Sequence, residues 1–509
     1  MPRLTQSSDG SSRVHHVASD RWYTPPMHET VTVRIHGAAG EVTGSCYEIS
    51  TPRARVLVDF GMFQGSLAQE TRNLTPPDIA FDEVDAVVVT HAHVDHVGRL
   101  GMLDALGFDG RIICTPPTAD LLPRVLIGSA TLQRLRLEEH ASGTLPDARV
   151  VEPAHLVTPR AIRTSPPPVL FGHRAAERIV RRIDPIPYRK WIEVAEGVRV
   201  RLLDAAHVLG AACVEFEVSR PGRDAARILF SGDVGPARHP LLGAHGVPDR
   251  APDLLVMEST NGGRRFRGED PWEAMQAIIE EAVRKGQRVI IPVFALGRAQ
   301  SVLQLLTRAS RGGLLRGTPV YLDTAMAVRA SDLHMRYPDL LADAPRRDVR
   351  AGRSPLHFDE LHSLMSRRES EALERVHGAC IIMAGSGFCD AGPILRHLAH
   401  AIDREDARIV FTGHQIEGLL GDGIMRGATR VEINGAQRDV RARIDRIEGV
   451  SGHADADDLM DWVEAMPGRP AKLALTHGTT AGRAAFAAEL SARLGVDAIQ
   501  PAIGDVIEV

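Results

Sequence analysis

The sequence predicts an α/β protein in which a second α/β domain is inserted into the first. Three observations lead to this fold class. Short apolar segments repeatedly end in a His or an Asp, which places polar residues at the carboxyl ends of strands, as α/β proteins do. A middle block alternates strands, glycine loops and helices. The segment that ends in His477 follows this block, so a site residue of the first domain lies beyond the second domain.

These features divide the 509 residues into four segments. We expect residues 1–30 to form a mobile, Ser-rich tail and residues 31–262 to form the first part of the outer domain. The inserted domain is expected over 263–450, and the outer domain should resume over 451–509. The proline-rich stretch from about 140 to 170 is expected to be a surface excursion.

The composition is that of an ordinary globular protein, with 44% hydrophobic and 25% charged residues and a formal charge of -5. A nucleic-acid partner would therefore need a local basic patch. The five cysteines form no C-x-x-C pair, which excludes a zinc ribbon and favours a reducing compartment. No apolar run reaches membrane-spanning length, and the first 28 residues contain no secretory signal. We expect a cytoplasmic protein with no membrane partner.

The central motif of the chain is the segment Asp85–His96, in which three histidines and a carboxylate follow a short apolar strand. Chance alone would give about 0.04 H-x-H-x-x-H spacings in a chain with this histidine content. His91 and His93 are two residues apart in extended chain, so they face the same way and could share one metal ion. Asp95 and His96 follow where the chain turns, so they could face a second metal ion beside the first.

Four further polar residues follow predicted strands: Asp59, His207, Asp233 and His477. We expect a dinuclear site with three ligand roles. The first metal would take His91, His93 and His207; the second would take Asp95, His96 and His477; Asp233 would bridge them. Nitrogen and carboxylate ligands without thiolate suit two Zn²⁺ ions, with Mn²⁺ or Fe²⁺ as alternatives.

Such a pair, about 3.5–4 Å apart, would lower the pKa of a bridging water. The resulting hydroxide would be the nucleophile in an in-line phosphoryl displacement. Asp59 is expected to orient that water or a ligand.

The middle block predicts a second, mostly parallel sheet. Asp270 and Pro271 resemble an N-cap and a first helical residue, and the apolar stripe that follows ends at Gly286. Glycine loops after the later strands could bind phosphates through backbone N–H groups. None of them is a G-x-G-x-x-G or P-loop motif, so no nucleotide cofactor is indicated.

Taken together, the motifs resemble those of the β-CASP family of metallo-β-lactamase-fold nucleases. The similarity covers roughly residues 31–509 and is greatest to bacterial and archaeal relatives of the eukaryotic pre-mRNA 3′-end-processing endonuclease. The matching stretches, in the family's order, are GAAGEVTGSCY, VLVDFGMFQG, VVVTHAHVDHVGRL, DAAHVLGAA, ILFSGDVG, MESTNG, PVFALGRAQ, GSGFCDAGPILRHL, SGHADADDL and LTHG.

This resemblance implies a metallo-β-lactamase αββα sandwich with an inserted α/β β-CASP domain, and a metal-dependent ribonuclease. It implies that Glu258 and His453 form an accessory catalytic pair, with His453 as proton donor to the leaving oxygen. Asp59 and Asp95 join them as expected catalytic residues. The presence of His477 resembles the RNA-directed branch of the family.

Three departures from the family pattern concern substrate contacts and leave the metal ligands complete. Asn261 stands where a Tyr is usual, and Thr479 stands where an acidic residue often follows His-Gly. Pro393 closes a segment that lacks the Arg common in the glycine-rich loop. These positions put substrate preference, more than catalysis, in question.

The expected partner is single-stranded RNA, bound in a cleft between the domains by Arg298, Ser386 and Gly387. With only 4% aromatic residues, little base stacking and little sequence preference are expected. The sequence leaves open an endo- or exonucleolytic mode and a homodimer. Competing hypotheses are a small-molecule ester or thioester hydrolase, a DNA-directed β-CASP nuclease and a non-catalytic RNA-binding scaffold.

Overall fold

The computed structural model describes residues 30–142, 148–153, 169–266 and 270–509. The predicted tail lies outside the described residues except for residue 30. Most of the predicted surface excursion from about 140 to 170 also lies outside them. Within the described ranges, no helix is long and apolar enough to cross a membrane.

Two seven-stranded sheets form the outer domain. In spatial order, the strands of the first sheet are Val506–Glu508, Thr32–Ile35, Tyr47–Ser50, Arg55–Val58, Ala86–Val88, Arg111–Cys114 and Ile183–Pro185. Those of the second are Ala498–Ile499, Lys472–Thr476, Leu254–Glu258, Arg223–Phe230, Ala212–Arg220, Val198–Asp204 and Ile192–Ala195. The first sheet thus contains strands from both ends of the described chain, and the second contains strands from before and after the inserted domain.

The two sheets pack face to face through one continuous apolar core. Val56 and Val88 of the first sheet meet Val214 and Phe230 of the second within it, because alternate residues of a strand point to the same face. The opposite face of each sheet packs against helices and forms a separate core. The result is the four-layered αββα sandwich that the sequence predicted.

A six-stranded sheet forms the centre of the inserted domain, and all its pairings are parallel. Its strands, in spatial order, are Leu361–Ser363, Val320–Asp323, Cys380–Ala384, Arg288–Pro292, Ala407–Phe411 and Arg443–Arg446. Apolar cores cover both faces, as parallel sheets require. The predicted second parallel sheet is therefore confirmed.

A small antiparallel sheet links the two parts of the chain in a way that the sequence did not indicate. Its strands, in spatial order, are Ala436–Asp439, Arg430–Ile433 and Ala148–Glu152. The third strand comes from the segment that precedes the inserted domain. The limits predicted for the domains, 31–262, 263–450 and 451–509, remain a prediction.

Helices cover the sheets. They are Leu67–Thr71, Val94–Val97, Pro116–Ala141, His173–Val180, Pro271–Lys285, Arg298–Arg311, Ala325–Leu333, Asp343–Arg350, Arg367–Ala372, Pro393–Ala401, Leu420–Met425, Ala456–Glu464 and Thr480–Leu494. The predicted start at Asp270 is confirmed, since its side chain accepts a hydrogen bond from the backbone N–H of Trp272. Gly286 ends that helix with a left-handed φ of 68°.

Candidate metal centre

Three imidazole rings and one carboxylate converge where strands of the two packed sheets end. His93 Nδ1 lies 3.0 Å from His91 Nε2 and 3.2 Å from His207 Nε2. Asp233 Oδ2 lies 3.5 Å from the Nε2 atoms of both His91 and His207. These four residues form the first donor group.

The second donor group lies beside the first and shares Asp233 with it. His96 Nε2 lies 3.2 Å from His477 Nε2, and His477 Nε2 lies 3.4 Å from Asp95 Oδ2. The second carboxylate oxygen of Asp233, Oδ1, lies 3.4 Å from His96 Nε2. Asp233 therefore presents one oxygen to each group, which is the geometry of a bridging ligand.

The spacing of these donors fits metal ions. Ligands bound at about 2.0–2.1 Å around a tetrahedral zinc ion lie about 3.3–3.4 Å from one another. The donor separations above range from 3.0 to 3.5 Å. Asp233 Oδ1 is also buried and has no hydrogen-bond partner among the described residues, although such atoms are rarely left unsatisfied. The donor sets therefore suit a pair of divalent ions.

Each histidine of the two groups has its other ring nitrogen held by a second group, as metal-binding histidines usually do. His96 Nδ1 lies 2.7 Å from Asp59 Oδ2. The other oxygen of Asp59, Oδ1, accepts a hydrogen bond from the backbone N–H of Thr90. The remaining pairs are His207 Nδ1 with Gly452 O at 2.7 Å, His93 Nε2 with Leu296 O at 3.4 Å, His477 Nδ1 with Thr260 Oγ1 at 3.0 Å, and His91 Nδ1 with Thr90 Oγ1 at 3.1 Å.

Two residues of the centre adopt a backbone conformation that non-glycine residues rarely use. Asp59 has φ 58° and His477 has φ 47°. Such left-handed residues cost about 1–2 kcal/mol each. Both directly follow strands of the sandwich, and the turn redirects each side chain from the strand end towards the donor groups. Strain of this kind is concentrated at functional sites.

The electrostatics of three donors favour the protonation states that metal binding needs. Burial and neighbouring histidines hold the pKa values of His91 and His207 well below their usual range, so these rings are neutral. Burial would raise the pKa of Asp233, but the histidines around it, with His477 and His96 foremost, outweigh burial and hold that pKa well below its usual range. The bridging carboxylate is therefore ionised.

His96 differs from these three donors. Burial alone would lower its pKa, but the carboxylates of Asp233 and Asp59 outweigh burial and raise that pKa well above its usual range. A metal ion must therefore displace a proton there.

A further His–carboxylate pair lies beside the first donor group. His453 Nδ1 lies 3.2 Å from Glu258 Oε1 and 3.9 Å from Asp233 Oδ2. Glu258 is fully buried at the end of its strand and accepts the backbone N–H of Val234. The His453 ring centroid lies 4.4 Å from that of His207. An imidazole–carboxylate pair therefore lies beside the first donor group, where the sequence predicted a proton donor.

The three departures from the family pattern lie in different parts of the structure, and one of them lies beside this pair. Asn261 donates from Nδ2 to the carbonyl of Ala454 at 3.2 Å, and so holds the segment that follows His453. Thr479 caps the helix Thr480–Leu494 by accepting the N–H of Gly482. Pro393 is the first residue of the helix Pro393–Ala401. Each of the three residues thus has a place in the local structure.

The residues predicted to bind substrate lie in the inserted domain. Arg298 donates from Nη1 to the backbone carbonyls of Thr412 and Val450, so part of its guanidinium is already engaged. Ser386 donates to Asp390 and accepts the N–H of Phe388. The carbonyl of Gly387 accepts from Gln415. Their contact with RNA remains a prediction.

A cavity of about 1150 Å³ separates the helix Pro116–Ala141 from the loops of the inserted sheet. Arg136 and Leu135 line it on one side, and Gly385, Phe388 and Arg396 line it on the other. The seven donor residues are not among those that line it, in the part of the chain that the structure describes. A cavity between the outer sandwich and the inserted sheet is therefore present, and the expectation that the metal centre lies in it remains a prediction.

The ring-nitrogen partners of the donor histidines include residues that sequence reasoning did not single out. Thr90 directly precedes His91, and Thr260 lies two residues after Glu258; this proximity in sequence is a signal that could have identified them. The carbonyls of Leu296 and Gly452 carry no such signal, because any residue type supplies a carbonyl.

Comparison with known proteins gives three family matches along the chain. The metallo-beta-lactamase superfamily matches residues 39–278, the Beta-Casp domain matches 299–424, and the Zn-dependent metallo-hydrolase RNA specificity domain matches 437–501. Their order agrees with a metallo-β-lactamase fold that contains an inserted domain.

Named relatives cover most of the chain. Ribonuclease TTHA0252 of Thermus thermophilus is 31% identical over 87% of this chain and 92% of its own length. Transcription termination factor FttA of Methanothermobacter thermautotrophicus is 30% identical over 93% of this chain and 71% of its own. FttA of Pyrococcus horikoshii is 27% identical over 96% of this chain and 72% of its own.

Proposed function

The chain belongs to the β-CASP family of metallo-β-lactamase-fold nucleases, and we propose that it is a ribonuclease that hydrolyses RNA phosphodiester bonds with two divalent metal ions. Zinc is the ion that the donors favour, since five imidazoles and two carboxylates without thiolate suit it well. Mn²⁺ and Fe²⁺ accept similar donors and are the alternatives to test.

The observation that carries this proposal is the position of Asp233 between two donor groups, with the Glu258–His453 pair beside it. A bridged pair of metal ions is the arrangement used for in-line displacement at phosphorus. A hydrolase of small esters or thioesters would need neither the Glu258–His453 pair beside the metal ions nor an inserted domain. That alternative therefore does not explain the pair.

The contacts suggest a separate role for each residue of the site. When bound, the metal pair would supply an activated water and neutralise charge on the phosphate. Asp59 orients the ring of His96 through the 2.7 Å contact with its Nδ1, and Asp95 completes the second donor group. His453 delivers a proton to the departing oxygen, and Glu258 keeps that imidazole protonated and oriented.

RNA is the proposed substrate because of the relatives and the third family match. One relative is named a ribonuclease, and residues 437–501 match a domain described by RNA specificity. His477 is present in the second donor group, as in the RNA-directed branch that the sequence resembles. Single strands fit an interdomain cleft, and Ser386 and Gly387 are proposed to contact their phosphates.

The proposal is tested by cleavage of end-labelled RNA and DNA of identical sequence, together with metal analysis of the purified protein. We expect RNA cleavage, about two metal ions per chain, and weaker binding as salt rises. Preferential cleavage of DNA would instead indicate the DNA-directed branch. Hydrolysis of small thioesters without any cleavage of RNA would overturn the proposal. The product ladder separates endonucleolytic from exonucleolytic cleavage.

The Asp233→Asn variant is the matched control, because it keeps the size of the bridging side chain and removes its charge. Cleavage that persists in this variant at the wild-type rate would come from a contaminating nuclease or from another site.

A further inference from the structure

Arg298 is a half-buried cation without an acidic partner among the described residues. It is the first residue of the helix Arg298–Arg311, and it forms no salt bridge within the described residues. Burial lowers the pKa of its guanidinium to about 10. An unpaired buried charge is costly unless hydrogen bonds compensate it. The carbonyls of Thr412 and Val450, both bound by Nη1, provide that compensation.

The two carbonyls belong to segments with different roles. Thr412 follows the strand Ala407–Phe411 of the inserted sheet. Val450 lies three residues before His453, at the start of the segment 449–455, which we call the proton-donor loop. Arg298 therefore ties the proton-donor loop to the inserted sheet through a single side chain.

The proton-donor loop is held at other points as well. Gly452 accepts a hydrogen bond from His207 Nδ1 at 2.7 Å, and the N–H of His453 donates to Ser451 Oγ at 3.1 Å. Asn261 binds Ala454 on the far side of His453. Arg298 supplies the hydrogen bond to the carbonyl of Val450 at the upstream end, where the Val450 side chain also packs in the apolar core of the inserted domain. Loss of Arg298 would therefore remove the polar contact at that end of the loop alone.

The segment that carries Arg298 is itself seated against the outer domain. The carbonyl of Leu296 lies 3.4 Å from His93 Nε2. Gly297 has φ 77°, and a Cβ at this position would lie 2.7 Å from Val208 Cγ1, directly after His207. The backbone of the inserted domain that directly precedes Arg298 is thus packed against the first donor group.

From these contacts we infer that Arg298 is a positioning residue that fixes His453 relative to the metal centre by holding the carbonyl of Val450. The inference rests on the proposed function, since it assigns Arg298 to the proton-delivery step of RNA cleavage. It differs from the earlier expectation that Arg298 binds RNA phosphates. A phosphate ligand contributes to affinity, whereas a positioning residue contributes to turnover.

The test compares Arg298→Met and Arg298→Lys with Arg308→Met. Arg308 lies on the same helix, is exposed and packs on the ring of Trp272, so its replacement removes the same charge without touching the proton-donor loop. For Arg298→Met we expect a loss in kcat on RNA of about 10²-fold, because small misplacements of a catalytic group cost about this much. RNA affinity and metal content should stay unchanged, and Arg298→Lys should recover part of the rate.

A double variant separates positioning from an independent role. Arg298→Met combined with His453→Ala should be no slower than His453→Ala alone, because both changes disable the same step. Additive losses would overturn the inference. A fall in RNA affinity with unchanged kcat would also overturn it and identify Arg298 as a phosphate ligand.

Amide hydrogen exchange gives a readout that does not depend on activity. Residues 449–455 should exchange faster in Arg298→Met, and in Arg298→Lys if the methionine variant does not fold, but not in Arg308→Met. Unchanged exchange in this loop would contradict the inference. Absence of RNA cleavage by the wild-type protein would contradict the proposed function instead, and the exchange result would still decide whether Arg298 holds the loop.

Discussion

The imidazole of His453 contacts the carboxylate of Glu258, with Nδ1 3.2 Å from Oε1 and 3.3 Å from Oε2. Burial disfavours a charged imidazole at this position. The carboxylates of Glu258 and Asp233 outweigh burial and raise the pKa of His453 to about 9. His453 therefore carries a proton at neutral pH, which is the state that a general acid needs before the leaving oxygen departs.

Replacement of His453 by Ala should separate proton delivery from metal binding. Both metal ions and RNA binding should remain, because His453 lies outside the two donor groups. Turnover should fall by about 10²–10⁴-fold, the usual contribution of general acid catalysis. The loss should shrink on bis(p-nitrophenyl) phosphate, whose leaving group needs no proton. An equal loss on both substrates, or a loss of zinc, would assign His453 a structural role.

Glu258→Gln should change the pH dependence of cleavage. The carboxylate raises the pKa of His453, so His453 is protonated, and active as an acid, up to a higher pH when Glu258 is present. Removing the charge lowers that pKa, and the alkaline limb of the kcat profile should move to lower pH. The oxygen that accepts the N–H of Val234 is retained in Gln. An alkaline limb that stays in place would show that Glu258 does not set the protonation of His453.

Substitution of a metal donor should have a larger effect on metal binding than substitution of a residue that orients a donor. His93→Ala or Asp233→Ala should lose metal and activity together. Asp59→Asn should weaken metal affinity by about 10- to 100-fold, since Asp59 only orients His96. Thr260→Val should affect the second metal and spare the first, because Thr260 contacts His477. Metal titration followed by elemental analysis measures each outcome, and full activity in His93→Ala would refute the ligand assignment.

Acid should destabilise the protein through two buried histidines at the interface between the domains. Burial lowers the pKa of His239 to about 3 and that of His334 to about 4. The unfolded chain takes up these protons below about pH 6.5, whereas the folded chain does not, so stability is lost as pH falls from 6.5 towards 4. Each histidine should cost about 2 kcal/mol at pH 5 relative to neutral pH.

His239→Asn tests this expectation by urea unfolding at pH 7.5 and pH 5. Asn can still accept the N–H groups of Leu241 and Leu242 that Nδ1 accepts, but it does not titrate. The difference in unfolding free energy between the two pH values should shrink by about 2 kcal/mol. His377→Asn, at an exposed position, should leave the difference unchanged. An equal effect of both substitutions would argue against a role for buried His239.

The amino-acid sequence alone determined much of this molecule. The strands that precede Asp59, His207, Asp233 and His477 were identifiable because short apolar runs followed by polar residues are a local pattern. The helix that starts after Asp270 was identifiable because an N-cap and a terminal glycine are local signals too. The family resemblance supplied the order of the layers.

Only the tertiary structure decided which atoms meet. The carbonyls that hold His93 and His207 come from Leu296 and Gly452, which lie 203 and 245 residues away along the chain. The strand Ala148–Glu152 pairs with Arg430–Ile433 across the predicted domain limit. Arg298 was expected to contact RNA, yet its Nη1 binds Val450. Residue patterns specify local conformation, whereas backbone carbonyls look alike in every residue, so their partners are fixed only when the domains pack.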